Sequence, residues 1–289
     1  MDFRTDLAVE KSEALGQPLP DGVSTGTETV NGLRITRIDV RSAAGAEALG
    51  KPQGRYVTVE VPPFKRSAEI PDETVGTLAR ELRRLLPTEG TVLVAGLGNA
   101  DITPDALGPK FSSLVFATRH IEPELAAAAG LGELRPVVSL VPGVLGKTGM
   151  ETGEVLRGAV ERVQPAAVVT VDALAARRLS RLGCTVQMTD TGVTPGSGVG
   201  NARAELSRES LGVPVIAVGV PTVVDAATLV CDLSHADADS PLVREGADMM
   251  ITPREIDLVI ERAARMLALA VNKALQPHLS PQDFLLLVS

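Results

Sequence analysis

The sequence predicts an α/β protein built on a central, mostly parallel sheet flanked by helices. Three observations carry that expectation. From Thr74 onward, strand-like and helix-like stretches alternate, which implies parallel pairing through right-handed crossovers. Hydrophobic residues make up 44% of the 289 positions yet aromatics only 2%, with no Trp, so the core rests on Val, Leu, Ala and Ile, the residues that fill layers of parallel strands. Three glycine- and acid-bearing segments fall where strands should end, the usual place for a site in such a sheet.

Taken in order, residues 1–32 are polar, rich in Gly, Thr, Pro and Asp, and without period; they read as an extended leader or arm. Leu33–Val40 and Arg55–Val61 read as strands, the second because Val57, Val59 and Val61 alternate with Thr58 and Glu60. Ala43–Gly54 between them is a loop or short helix. Val75, Leu78, Ala79, Leu82 and Leu85 recur at helical spacing until Pro87 stops the helix. Thr91–Ala95, Pro136–Val141, Ala167–Val171, Cys184–Met188 and Val213–Val218 are expected strands. Pro109–His120, Thr152–Val163, Ala173–Leu182 and Pro253–Leu275 are expected helices. No internal repeat or linker divides the chain, so one domain is the economical reading.

Composition also excludes functions. Formal net charge is −8, which opposes a nucleic-acid partner. The basic clusters Arg80–Arg84 and Arg177–Arg181 lie on helix-like stretches and read as solvated faces. Cys184 and Cys231 are too few for a disulfide framework and lack CxxC spacing; Cys184, in an apolar run, should pack as a small hydrophobe. Met1–Glu10 is charged, unlike a signal peptide, and no apolar run approaches the roughly 20 residues that span a bilayer, so no membrane association and a reducing cytoplasm are expected.

Three segments can carry chemistry. In Gly96–Pro109, GLGNADITPDALGP, glycines following a strand allow a tight turn and bring N–H groups near a ligand. The third glycine of a dinucleotide fingerprint is absent and Pro104 interrupts, which disfavours a cofactor. Asp105 is either a helix cap or a carboxylate held facing a crevice. In Val168–Arg178, Asp172 follows four β-branched residues and should emerge at a strand's carboxyl end; it too is either a cap or a cleft acid. Two acids at neighbouring strand ends can share a proton, one taking a raised pKa, so that the ionised partner deprotonates water and the protonated one polarises a carbonyl. Thr189–Asn201, with four glycines, is either a surface loop or a backbone-donor loop, with Asp190 as a third acid. Backbone N–H groups of Gly96, Gly98 and Asn99, or of Gly196, Gly198 and Gly200, are candidate oxyanion donors. His120, His235 and His278 are scattered and form no metal motif, although Asp101, Asp105, Asp172 and Asp190 could hold a hard cation.

These motifs, with VPGVLGKTGMETGEVLRG at 141–158 and VPVIAVGVPTVVDAAT at 213–228, follow one another in an order that closely resembles the germination protease family of spore-forming Firmicutes, over residues 4 to about 279. The resemblance implies an atypical aspartic endopeptidase without cofactor, with Asp105 and Asp172 as the catalytic pair. It further implies a fold similar to hydrogenase maturation endopeptidases, homotetramers, small acid-soluble spore proteins as substrates, and a spore-core location. Family members are zymogens that remove a leader at a site of acid, apolar residue, Ala, any residue and Glu. Asp6-Leu7-Ala8-Val9-Glu10 fits, so residues 1–6 would be a propeptide cut between Asp6 and Leu7, leaving 7–289 as the peptidase domain. An ordinary disordered terminus is the alternative. Such a leader is shorter than in Bacillus members, and Ser234–Asp248 reads as a trimmed surface segment. A metal-dependent maturation endopeptidase and a nucleotide-binding protein are the rival readings.

Overall fold

The computed structural model describes residues 4–65, 70–200, 203–234 and 249–288. Its strands are β1 (Val23–Val30), β2 (Leu33–Val40), β3 (Gly54–Glu60), β4 (Val92–Gly96), β5 (Val137–Leu140), β6 (Ala167–Ala176), β7 (Thr185–Thr189), β8 (Val215–Asp225) and β9 (Met250–Ile251). They form one sheet in the order β1-β2-β3-β7-β8-β6-β4-β5, with β9 on β8. The centre, β8-β6-β4-β5, is parallel, as the sequence predicts. On its flank β1, β2, β3 and β7 form an antiparallel wing, joined to β8 by an antiparallel pairing.

The parallel strands are apolar on both faces because both faces are covered. Val92, Val94, Val169 and Val171 pack with the long helix Ile256–Leu275 and the helix Asp72–Arg83. Leu93, Ala95 and Val168 on the other face join Leu156 and Val160 of the helix Thr152–Val163. A third apolar cluster lies further along β6, where Leu174 and Ala176 meet Ile38, Tyr56, Leu49 and the N-terminal residues Leu7 and Ala8.

Three expectations are corrected. Residues 4–32 are not an extended arm: Ala8–Leu15 is a helix with Leu7, Ala8 and Val9 buried, and β1 follows. The strand leaves no alternating pattern in the sequence because it is an edge, exposed along nearly its whole length. The signal present was Asn31-Gly32, both at positive φ, which turns β1 into β2 as a two-residue hairpin. Ala173–Leu182 is not a helix: β6 runs on through Ala176, followed by a short 3-10 turn at Leu179–Arg181. Here tertiary pairing overrides the helix propensity of alanine, since the ladder to β8 continues to Ala176 opposite Val224. The expected Pro109–His120 helix spans only Leu107–Ser112, after which the Phe116 N–H bonds the Asn272 side chain at 3.0 Å.

The basic clusters are not plain solvated faces. Arg80 and Arg84 surround the buried Glu81, and Arg181, 8% exposed, pairs with Glu60 and Glu13. Cys184 is partly exposed, its Sγ donating to the Ser180 carbonyl at 2.9 Å, whereas Cys231 is buried. No helix among the described residues is long and apolar enough to cross a membrane. His235 and residues 235–248 of the expected trimmed segment lie outside the described residues, as does Asn201.

Candidate active site

Asp172 owes its position to unequal strand lengths. β4 ends at Gly96, opposite Val171, and the Leu97 N–H makes a last bond to the Val171 carbonyl at 2.8 Å. β6 runs five residues further, so Asp172 is the first residue of β6 beyond the carboxyl end of β4. It stands within a strand, neither at its end nor capping a helix. Its side chain is 6% exposed and accepts the Ala173 N–H at 2.8 Å. Burial above all, then the nearby Asp105 and Asp6 carboxylates, push its pKa up to about 8.

Asp105 closes a 3-10 turn, Thr103–Asp105, and is half-buried. Its Oδ2 accepts the Asn99 N–H at 2.7 Å. Burial raises its pKa, and that hydrogen bond opposes the rise. The glycines before it serve close packing. A Cβ at Gly96 would collide with the Gly108 carbonyl, and one at Gly98, where φ is 109°, with the Asp105 carbonyl. Opposite, a bulge in the β6–β8 ladder between Leu174 and Ala175 lets Thr222, whose hydroxyl holds the Pro104 carbonyl at 2.9 Å, sit against the Asp105 turn.

Both aspartates line a cavity of about 510 Å³, with Asn99, Pro195, Gly196 and Gly198 on other walls. A second cavity of about 270 Å³ is lined by Lys51, Tyr56, Gln187 and Ser197; Asp6 and Asp172 border both.

The chain's own N-terminal segment borders these cavities at Asp6, and each residue from Asp6 to Glu10 is held by a contact of its own, Val9 by packing in the apolar cluster around Leu7. The Asp6 carboxylate accepts the Ala175 N–H at 2.8 Å and the Ser197 hydroxyl at 2.9 Å, while its own N–H donates to the Ala175 carbonyl at 2.9 Å. Gly198 makes room for it, since a Cβ there would overlap Asp6 Oδ2. Leu7 is fully buried among Ile38, Leu49, Tyr56, Leu174 and Ala176. Ala8 is fully buried and donates its N–H to Gln187 Oε1 at 2.6 Å. Glu10, 2% exposed, accepts the N–H groups of Arg177 at 2.7 Å and Arg178 at 3.0 Å, and the Thr5 hydroxyl. Charge-assisted bonds from backbone donors are the strong kind.

Other candidate acids are engaged elsewhere. Asp190 accepts the Arg55 N–H and Nε, each at 2.7 Å, and Asp101 pairs with Lys147. The His278 Nε2 lies 2.7 Å from the Leu131 carbonyl oxygen, and His120 is exposed. Among the described residues no group of three or more His, Cys, Asp or Glu is arranged to hold a metal ion. Sequence reasoning missed Lys51, Gln187, Ser197 and Thr222. Only Gln187 left a signal, as an amide in the otherwise apolar and β-branched strand Thr185–Thr189.

A family model described as Germination protease matches residues 5–235. The germination protease of Clostridium perfringens (strain ATCC 13124) is 41% identical across 98% of this chain and 98% of its own. That of Caldanaerobacter subterraneus subsp. tengcongensis is 41% identical across 98% and 97%, and that of Priestia megaterium 36% across 97% and 95%. The Priestia alignment runs to 355 positions, longer than this 289-residue chain, so that relative carries additional residues. A looser likeness, at TM-score 0.37 and 18% identity, covers 66% of this chain and 98% of a [NiFe] hydrogenase maturation protease, HycI, from Thermococcus kodakarensis KOD1.

Proposed function

The chain belongs to the germination protease family and is a spore germination peptidase; from that premise we propose that it is an aspartate-pair endopeptidase, made as a zymogen that cuts itself between Asp6 and Leu7. Its substrates are small acid-soluble spore proteins carrying the same acid-apolar-Ala-x-Glu pattern. The proposal extends to a homotetramer acting in the cytoplasm of the spore core, with no cofactor, no membrane and no direct nucleic-acid partner.

The observation that carries this reading is the seating of the chain's own candidate cleavage sequence beside Asp172. Each residue that defines the sequence pattern, Asp6, Leu7, Ala8 and Glu10, has its own complement, and Val9, the variable position, packs in the same apolar cluster as Leu7. Near neutrality Asp172 keeps its proton, because it is the more deeply buried carboxyl and faces two others. Asp105, with its Asn99 N–H, carries the charge and takes a proton from water. The water oxygen bonds the Asp6 carbonyl carbon, the carbon–nitrogen bond to Leu7 breaks, and Asp172 supplies the proton the leaving amine requires.

The test is intact mass of the wild type, Asp105→Asn and Asp172→Asn, incubated with a small acid-soluble spore protein, with and without chelator. Loss of residues 1–6 and cleavage of the added protein in the wild type alone, regardless of chelator, is expected. Inhibition by chelator would move the chemistry to a metal, and an active mutant would remove that aspartate from it.

A further inference from the structure

We propose that Lys51 and Gln187 form a clamp that holds and polarises the scissile carbonyl, supplying the oxyanion site of the reaction. This rests on reading Asp6–Leu7 as the bond that is cut.

The Asp6 carbonyl oxygen accepts two side-chain hydrogen bonds, from Lys51 Nζ at 2.9 Å and from Gln187 Nε2 at 2.9 Å. A carbonyl oxygen has two lone pairs, so both are engaged. The Gln187 amide then uses its oxygen on the Ala8 N–H at 2.6 Å. One side chain therefore grips the peptide groups on either side of Leu7, and does so through backbone atoms. Any peptide threaded through this groove can be held in the same way. Recognition of particular residues is left to Ser197, the Ala175 N–H, the apolar pocket around Leu7 and the Arg177 and Arg178 N–H groups.

Of the backbone donors that the sequence pointed to, those nearest Asp105 are less suited to the task. The Asn99 N–H is committed to Asp105, and Gly98 presses on the Asp105 backbone. Lys51 reaches inward from the loop that follows Gly50, and burial pushes its pKa below the ordinary lysine range while the Asp6 charge opposes the fall. Lys51, Gln187 and Asp172 line the same cavity, so carbonyl donors and proton donor border one space. As the tetrahedral intermediate forms, negative charge gathers on the oxygen that the ammonium and the amide already touch. Preorganised donors of this kind, in a site shielded from water, act mainly on the transition state.

The experiment uses the full chain as wild type, Lys51→Met, Lys51→Arg and Gln187→Glu. It follows self-cleavage by intact mass and then turnover of a synthetic peptide with the sequence of residues 1–16. Lys51→Met should slow both by about 10²–10³-fold through kcat, with KM within a few-fold of wild type. Lys51→Arg should recover part of the rate. Gln187→Glu keeps the acceptor for the Ala8 N–H and loses the donor to the carbonyl, so it should lower kcat while leaving KM nearly unchanged. Thermal midpoints within a few degrees of wild type show that each variant is folded. Wild-type rates in Lys51→Met, or a change confined to KM, would reduce Lys51 to an anchor of the N-terminal segment and overturn the clamp. A wild type that never cuts at Asp6–Leu7 would bring down the reading of that bond and the clamp with it. The two failures are thereby told apart.

Discussion

The parallel centre of the sheet and its antiparallel wing divide the work differently. In the centre, Asp105 and Asp172 are set by strand ends and a short turn, with partners close in sequence: Asn99 lies six residues from Asp105, and Ala173 adjoins Asp172. In the wing and the loops beside it, the N-terminal segment is gripped by residues far away in the chain. Gln187 lies 181 residues from Asp6, and Arg177 lies 167 from Glu10. Local sequence thus presets the acids, whereas recognition of the peptide depends on the completed fold. If that division holds, changes in the centre should abolish chemistry and spare the fold, and changes around the wing should weaken seating and spare chemistry, except at Lys51 and Gln187, which touch the carbonyl of the bond to be cut.

The largest effect tests the centre. Asp172→Asn and Asp105→Asn should each lower self-cleavage by about 10²–10⁴-fold, measured as the first-order loss of residues 1–6 by mass. Asp172→Asn should at the same time be the more stable protein in mildly alkaline buffer. The folded pKa of Asp172, about 8, lies above its ordinary value of 3.8. Its contribution to stability is therefore complete below pH 3.8 and is lost as pH rises through about 8. The wild-type thermal midpoint should fall between pH 5 and pH 8.5 by more than that of Asp172→Asn. Equal slopes in the two proteins would mean that Asp172 is not a buried, proton-holding carboxyl. Wild-type cleavage should likewise decline above pH 8, as that proton leaves.

The same division explains what could be read from the sequence. Asp105 and Asp172 were legible as candidates because each comes after an apolar stretch that reads as a strand, and glycine-rich turns mark the loops between. The extent of β6 was not visible. Ala173, Ala175 and Ala176 favour helix locally, and only pairing with β8 together with the crowding of Ala175 against Gly198 and Asp6 demands small residues in a strand. The Ala8–Leu15 helix was hidden for the opposite reason. Its polar composition gives no period, and it is held by Leu7, Ala8, Val9 and Glu10 reaching distant partners, among them Gln187, 179 residues from Ala8. Lys51 carries no local mark at all, because its role comes from where the loop after Gly50 lies relative to Asp6.

The next effect tests the wing. Leu7→Ala empties a fully enclosed apolar site and should cost about 2–5 kcal/mol of stability in the uncut protein, read from denaturant unfolding. Glu10→Gln keeps the shape but removes the charge from the bonds to Arg177 and Arg178, and should cost about 1.5–3 kcal/mol. A substrate peptide carrying either change should show a raised KM with kcat nearly intact. A fall in kcat alone would blur the division, by showing that seating and chemistry are one event.

The smallest effect lies at the border between the two regions. Thr222, 1% exposed, occupies the bulge of β8 and holds the Pro104 carbonyl beside Asp105. Thr222→Val keeps the volume and β-branching and deletes the hydroxyl, leaving that carbonyl without its partner. A loss of about 1 kcal/mol is expected, seen as a thermal midpoint lower by about 2–4 °C. Because Asp105 is also fixed by its own turn and by Asn99, turnover should fall only a few-fold, and Thr222→Ser should restore it. A loss as large as that of Asp105→Asn would instead mean that the acid is aimed from β8 across the bulge, so that even the chemistry of the centre waits on the assembled sheet.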